Sequence, residues 1–140
     1  MVSNVINGSS VGGWFWYKTS EADGFIKNEC GKWMFTFKDQ DFAKKMCEEA
    51  IENGICWMCK CNDMSKHSMP TGVAGFYTNA SDIGHHRKII EFMKSHDLIR
   101  RTKSGRYYNN SFKFEDPLRQ ASSVVKLEDF IDLETGEWCR

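Results

Sequence analysis

The chain has 140 residues, 41% hydrophobic and 14% aromatic, which suits one globular core without disulfide or metal staples and excludes a wholly disordered chain. Nineteen Lys or Arg balance nineteen Asp or Glu, and a net charge of zero argues against a nonspecific DNA-coating protein while leaving room for a local basic face. No apolar run of about 18 residues offers a membrane span. The start MVSNVINGSSVGG lacks the basic and apolar regions of a signal peptide. A cytoplasmic protein with six reduced cysteines is therefore expected.

In chain order, residues 1–13 read as a flexible N-terminal arm and 14–140 as a single α+β domain. Alternation along Trp14-Phe15-Trp16-Tyr17-Lys18 predicts a strand with Trp14 and Trp16 on one face and Phe15 and Tyr17 on the other. One face fills a core; the other covers a sheet edge or offers a stacking surface for a base or other planar ligand. Residues Gly31–Phe37 form the next predicted strand. Asp39 or Asp41 can cap a helix over Asp41–Asn53, with Phe42, Met46 and Ala50 beside Ala43, Cys47 and Ile51, and Asn53-Gly54 stops it. Residues Ile55–Cys61 read as a strand. As a strand it would send Cys56 and Cys59 to opposite faces, and no second C-x-x-C follows, so neither zinc nor an obligatory disulfide is expected, and no cofactor.

A polar loop from Asn62 to Gly72, with Met64, His67 and Met69, precedes an apolar strand ending at Tyr77. Ile83, Ile90 and Met93, flanked by Ile89 and Phe92, predict a helix over Ser81–Ser95, with His85 and His86 solvated at its head. A hairpin follows: Arg100-Arg101, a turn at Lys103–Arg106, and a strand over Tyr107–Phe114. Between Arg87 and Arg119 nine Lys or Arg face four Asp or Glu, making this the basic part of the chain. The segment QASS reads as a linker, Val124–Ile131 as a last strand and Leu133–Trp138 as a closing turn. Five acidic residues at this end could lie against the basic hairpin and neutralise it. Long loops and aromatic strands favour a mainly antiparallel sheet with two principal helices over a doubly wound parallel sheet.

Between Gly31 and Arg119 the chain resembles the basophilic-leukemia-expressed protein family, some of whose members carry the label of phosphothreonine lyase domain proteins. The resemblance rests on Gly31-Lys32-Trp33, the helix ending at Gly54, Lys60, Tyr77, Phe112-Lys113 and Arg119. It implies a fold similar to the cap-binding translation initiation factor 4E: a curved, mainly antiparallel sheet backed by helices. It also implies that Lys60, Lys113 and Arg119 converge beside Tyr77 on a concave face, where guanidinium, ammonium and phenol groups make a phosphate cradle. Glu115, Asp116 or the acidic C-terminus could instead pair with those cations. The cysteine-rich strand, and Gln120-Ala121 where the family has glycine, are departures from its pattern.

The reading that follows is non-enzymatic binding of a phosphorylated ligand, a nucleotide or nucleic-acid segment, on a basic, aromatic-lined sheet face. Lys60, Tyr77, Lys113, Arg119, Trp14 and Trp16 would form the ligand site, and Arg100, Arg101, Lys103 and Arg106 an outer basic set. Small size and composition also suit a phage or mobile-element inhibitor of a host defence system, whose partner would be a signal nucleotide, a nucleic acid or a host protein complex. The alternatives are a protein-interaction module using exposed aromatics, and a lyase or hydrolase on phosphorylated substrates with Lys60, His67, His85 or His86 as base. No P-loop, H-E-x-x-H, nucleophile elbow or paired-carboxylate motif supports the last.

Overall fold

A computed structural model describes residues 10–66, 70–122 and 124–139. Its centre is a curved antiparallel sheet. The strands are β1 (Ser10–Val11), β2 (Trp14–Lys18), β3 (Cys30–Phe37), β4 (Met58–Asn62), β5 (Gly72–Asn79) and β6 (Lys113–Phe114), in the spatial order β1-β2-β4-β5-β3-β6. The helices are α1 (Gln40–Glu52), α2 (Ile83–Ser95) and the short α3 (Pro117–Ser122). This is the α+β class expected, with α1 and α2 as the two principal helices.

Both long helices begin and end where local chemistry directs. The Asp39 carboxylate accepts from the Asp41 and Phe42 amides at the head of α1, and the Asp82 carboxylate accepts from the His85 amide at the head of α2. At the end of α1, Gly54 takes a left-handed φ of 67°, its N–H donating to the Ile51 carbonyl and that of Ile55 to the Ala50 carbonyl. Asp97 does the same work after α2 with φ 56°, a conformation Asp tolerates better than most side chains. Leu98, next in line, donates back to the Met93 carbonyl and buries its side chain.

Strand alternation sends Trp33, Phe35 and Phe37 of β3, Ala74 and Phe76 of β5, Cys59 and Cys61 of β4, and Tyr17 of β2 into one core. The helices close it with Ala43, Met46, Cys47, Ala50 and Ile51 from α1 and with Ile89, Ile90, Phe92 and Met93 from α2. Each large side chain buried there contributes about 1.5–3 kcal/mol.

Several elements differ from their sequence reading. The strand expected at Ile55 starts only at Met58, because the cap of α1 bonds Ile55 back to Ala50. Cys56 therefore precedes the strand and turns inward beside Cys59, both fully buried, instead of facing away from it. Tyr107–Phe114 pairs as a strand only at Lys113–Phe114; upstream, isolated bridges join Arg101 to Tyr107 and Ser111 to Lys126. Of QASS, read as a linker, Gln120, Ala121 and Ser122 end the helix α3, and Val124–Ile131 holds a 3₁₀ turn at Leu127–Asp129 in place of a strand. Segments without neighbours on both sides take whatever pairing the core leaves them. His86 is buried where a solvated pair was expected. It sits one turn before Ile89 and Ile90 on the same stripe, so α2 directs it inward. Its ring is satisfied there: Nδ1 accepts from Trp33 Nε1 at 3.0 Å and Nε2 meets the Ala80 carbonyl at 2.8 Å.

The arm expected over 1–13 lies mostly outside the described residues, as do His67 and Met69; Ser10–Val11 pairs with β2. No helix among the described residues is long and apolar enough to cross a membrane.

Candidate functional site

The alternation that fills the core also decorates the opposite face of the sheet, away from α1 and α2. Register fixes its layout. One row runs across five strands as Lys113 (β6), Lys32 (β3), Tyr77 (β5), Met58 (β4) and Lys18 (β2). The next row is Met34, Gly75, Lys60 and Trp16, and the third Thr36, Val73, Asn62 and Trp14, with Asn62 held by its side-chain bond to the Val73 amide. Directly opposed residues in such a ladder lie about 4.5–5.5 Å apart, near enough to act together.

Lys60 is the hub. Its ammonium lies 3.9 Å from the Trp14 ring centroid, 4.8 Å from Trp16 and 5.8 Å from Tyr77, while Trp16 and Tyr77 stack with centroids 6.3 Å apart. Burial and the nearby Lys32 push the Lys60 pKa down, and Glu115 pushes it back up. The three ring faces add a cation–π attraction that favours the charged form, so we read Lys60 as a caged ammonium. Lys32 packs its stem against the bare backbone of Gly75, pairs with Glu115 and lies 5.3 Å from the Tyr77 ring. At Gly75 a side chain would start 2.9 Å from Lys32 Cδ, so glycine makes this close approach possible.

Tyr77 is 1% exposed, and its hydroxyl makes no hydrogen bond among the described residues. Burial, then Glu115 and Cys30, raise its pKa far above the usual phenol value, so it stays a protonated donor. A buried donor without a partner is costly and marks a place where a ligand oxygen would be welcome. Phe25 flanks the face, 6.4 Å from Tyr77 and 5.4 Å from Trp57.

Of the residues singled out from the sequence, Lys60, Tyr77, Lys113, Trp14 and Trp16 share this face. Lys60 is half-buried and Lys113 exposed. Arg119 goes elsewhere. It pairs with Glu29 at 3.3 Å and covers the Phe114 ring at 5.0 Å, and Phe114 points to the helix-backed side of β6. Beyond the edge of β3, Arg101 stacks on Tyr107 at 3.8 Å and Arg100 on Tyr108 at 5.3 Å, while Lys103 and Arg106 are exposed. A cavity of about 190 Å³ lies between Arg100, Tyr108, Asn110 and the Met34, Thr36 and Val73 end of the open face. The acidic C-terminal turn does sit against this hairpin, through the Tyr107 amide to the Leu133 carbonyl, but no ion pair joins the two among the described residues.

Two lysines of the face went unremarked as ligand groups: Lys18 and Lys32. Both were legible, since each is next in alternation to a core aromatic, Tyr17 or Trp33. The six cysteines are free thiols, and across the sheet Cys47, Cys56 and Cys59 crowd the core between α1 and β4. Burial, with the Cys47 and Cys56 thiols, raises Cys59 well above the usual thiol range, which suits an inert packing group. No group of three or more His, Cys, Asp or Glu among the described residues is placed to hold a metal ion. A second surface, a groove of about 430 Å³, runs along α2 between Ile55, Phe92 and Trp138, where Arg87 and Lys94 stack on the indole at 4.8 and 5.0 Å. In the first turn of the same helix the His85 ring pairs with the carboxylate of the cap, Asp82, at 2.7 Å. No model of a known protein family matches this chain, and no curated protein matches it either.

Proposed function

We propose that the open face of the sheet binds a phosphorylated ligand through its nucleotide part, without catalysing a reaction on it. The observation that carries this reading is the sharing of one face by Lys18, Lys32, Lys60 and Lys113 with the rings of Trp14, Trp16 and Tyr77, while both long helices lie on the other side. Of these rings the half-exposed Trp14 and Trp16 supply stacking surface for a base, at about 1–3 kcal/mol each, and ammonium groups pair with phosphate. Lys60 is the group that changes role: it leaves the rings to the base and turns its charge to the phosphate. The Tyr77 hydroxyl then gains the acceptor that it lacks.

Equilibrium titration with nucleoside triphosphates and short oligonucleotides tests the reading. Lys60→Ala and Trp16→Ala should each weaken binding by roughly 10-fold or more, since each removes about 1.5–3 kcal/mol of stacking or charge-assisted bonding. Binding that survives both changes unaltered rejects this face. Loss of a protein partner in Trp14→Ala and Trp16→Ala, with Lys60→Ala and Lys113→Ala unaffected, would favour a protein-interaction surface instead.

A further inference from the structure

The layout of the lysines narrows the ligand class. Lys113 on β6 and Lys18 on β2 occupy opposite ends of one row that crosses five strands, with Lys32 and Tyr77 between them. Neighbouring strands lie about 4.8 Å apart, so the row spans roughly 19 Å. A mononucleotide clusters its phosphates at one end of one sugar and cannot engage both end lysines. A chain with a charge at every nucleotide can. The rings are offset to the β2 side of the row, with Trp16 and Trp14 in the second and third rows beside Lys60. Successive bases could therefore leave the backbone track toward one side only. In a duplex, neighbouring base pairs stack on one another and cover the base faces that Trp14 and Trp16 would need, which excludes a duplex.

From this arrangement, and resting on the nucleotide-binding reading above, we infer that the natural ligand of the open face is a single-stranded nucleic-acid segment, lying across the strands with its backbone along the Lys113–Lys32–Lys18 row and its bases toward Trp14 and Trp16. Lys32 is held by Glu115 and contributes little net charge, so three lysines, Lys18, Lys60 and Lys113, remain for phosphates. The affinity should then depend on chain length and on salt in a defined way. Three neutralised phosphates give a slope of log K against log salt of roughly −2, at about −0.7 per phosphate on a single strand.

The test uses the full chain and fluorescein-labelled oligothymidylates, read by anisotropy, with thymidine monophosphate and a duplex of the same length as competitors. Affinity should rise at least 10-fold from the dinucleotide to the tetranucleotide and level off beyond. Lys18→Ala and Lys113→Ala alter exposed side chains and should leave the fold intact. Each should weaken tetranucleotide binding roughly 2- to 5-fold and together flatten the salt slope by about two thirds. Equal affinity for mono-, di- and tetranucleotide, or an unchanged slope in the double variant, overturns the inference and leaves the nucleotide reading standing. A duplex that competes as well as the single strand also overturns it. If neither mononucleotide nor any oligonucleotide binds, the nucleotide reading itself falls and takes the inference with it.

Discussion

The two faces of this sheet are built from the same strands and make opposite uses of them. Tyr17 and Trp16 are neighbours on β2. Tyr17 is fully buried among the thiols of the core, and Trp16 stacks over Tyr77 beside a lysine on the far side. Trp33 and Lys32 divide β3 in the same way. On the helix-backed face each side chain is fixed by apolar burial on every side, and its loss is felt as stability. On the open face Trp14 and Trp16 are held half out of water around Lys60, which adds little to folding and is costly to keep unless something binds there. A stability defect and a binding defect should therefore separate cleanly by face.

The largest effect is expected from Trp33→Ala. It empties a fully buried site and leaves His86 Nδ1 without its donor, so about 3–5 kcal/mol of stability should go, measured by urea unfolding. Lys60→Ala should do the reverse, with stability nearly unchanged and nucleotide affinity down roughly 10- to 100-fold, or about 1.5–3 kcal/mol. If Lys60→Ala unfolds the protein instead, the lysine is a structural strut and the contrast between the faces fails. Two glycines sharpen it further. A methyl at Gly31 would meet the Phe112 ring at 2.5 Å and the Lys113 carbonyl at 2.6 Å, neither of which can yield, so Gly31→Ala should cost about 1–3 kcal/mol or more. At Gly75 the obstacle is only the middle of the Lys32 side chain, and Gly75→Ala should cost much less in melting temperature.

Alkali acts on both faces. Burial and Glu115 raise the Cys30 thiol from 9.0 to about 11, and burial raises the Tyr17 and Tyr77 phenols further. An acid whose folded pKa is raised gives its full contribution below the unfolded value and loses it as pH climbs toward the folded one. Melting temperature should thus decline between pH 9 and 11, and Cys30→Ala should flatten the first part of the decline. An identical curve in that variant would remove Cys30 from the account. The smallest effect belongs to Arg101→Ala. Its guanidinium is exposed and already occupied by Tyr107 and the Gly105 carbonyl, so binding should change by less than about 1 kcal/mol at physiological salt.

Sequence alone determined much of this protein. Period-two aromatics marked β2 and β3, Asp39 and Gly54 bounded α1, and the apolar spacing from Ile83 to Met93 marked α2, each to within a residue or two, because caps and periodicity are local properties. The face shared by Trp14, Trp16 and Lys60 also followed from alternation once their strands were known to pair. Tertiary structure decided the rest. Strand order places β4 between β2 and β5, and only that order brings Lys60 under the two indoles and beside Tyr77. Arg119 left the group because α3 points it at Glu29, a partner 90 positions away in sequence. The helical stripe turned His86 inward, but the donor that satisfies it there, Trp33 Nε1, comes from β3, 53 positions away in sequence. Pairings of this kind depend on which surfaces the core brings together, and no local pattern encodes them.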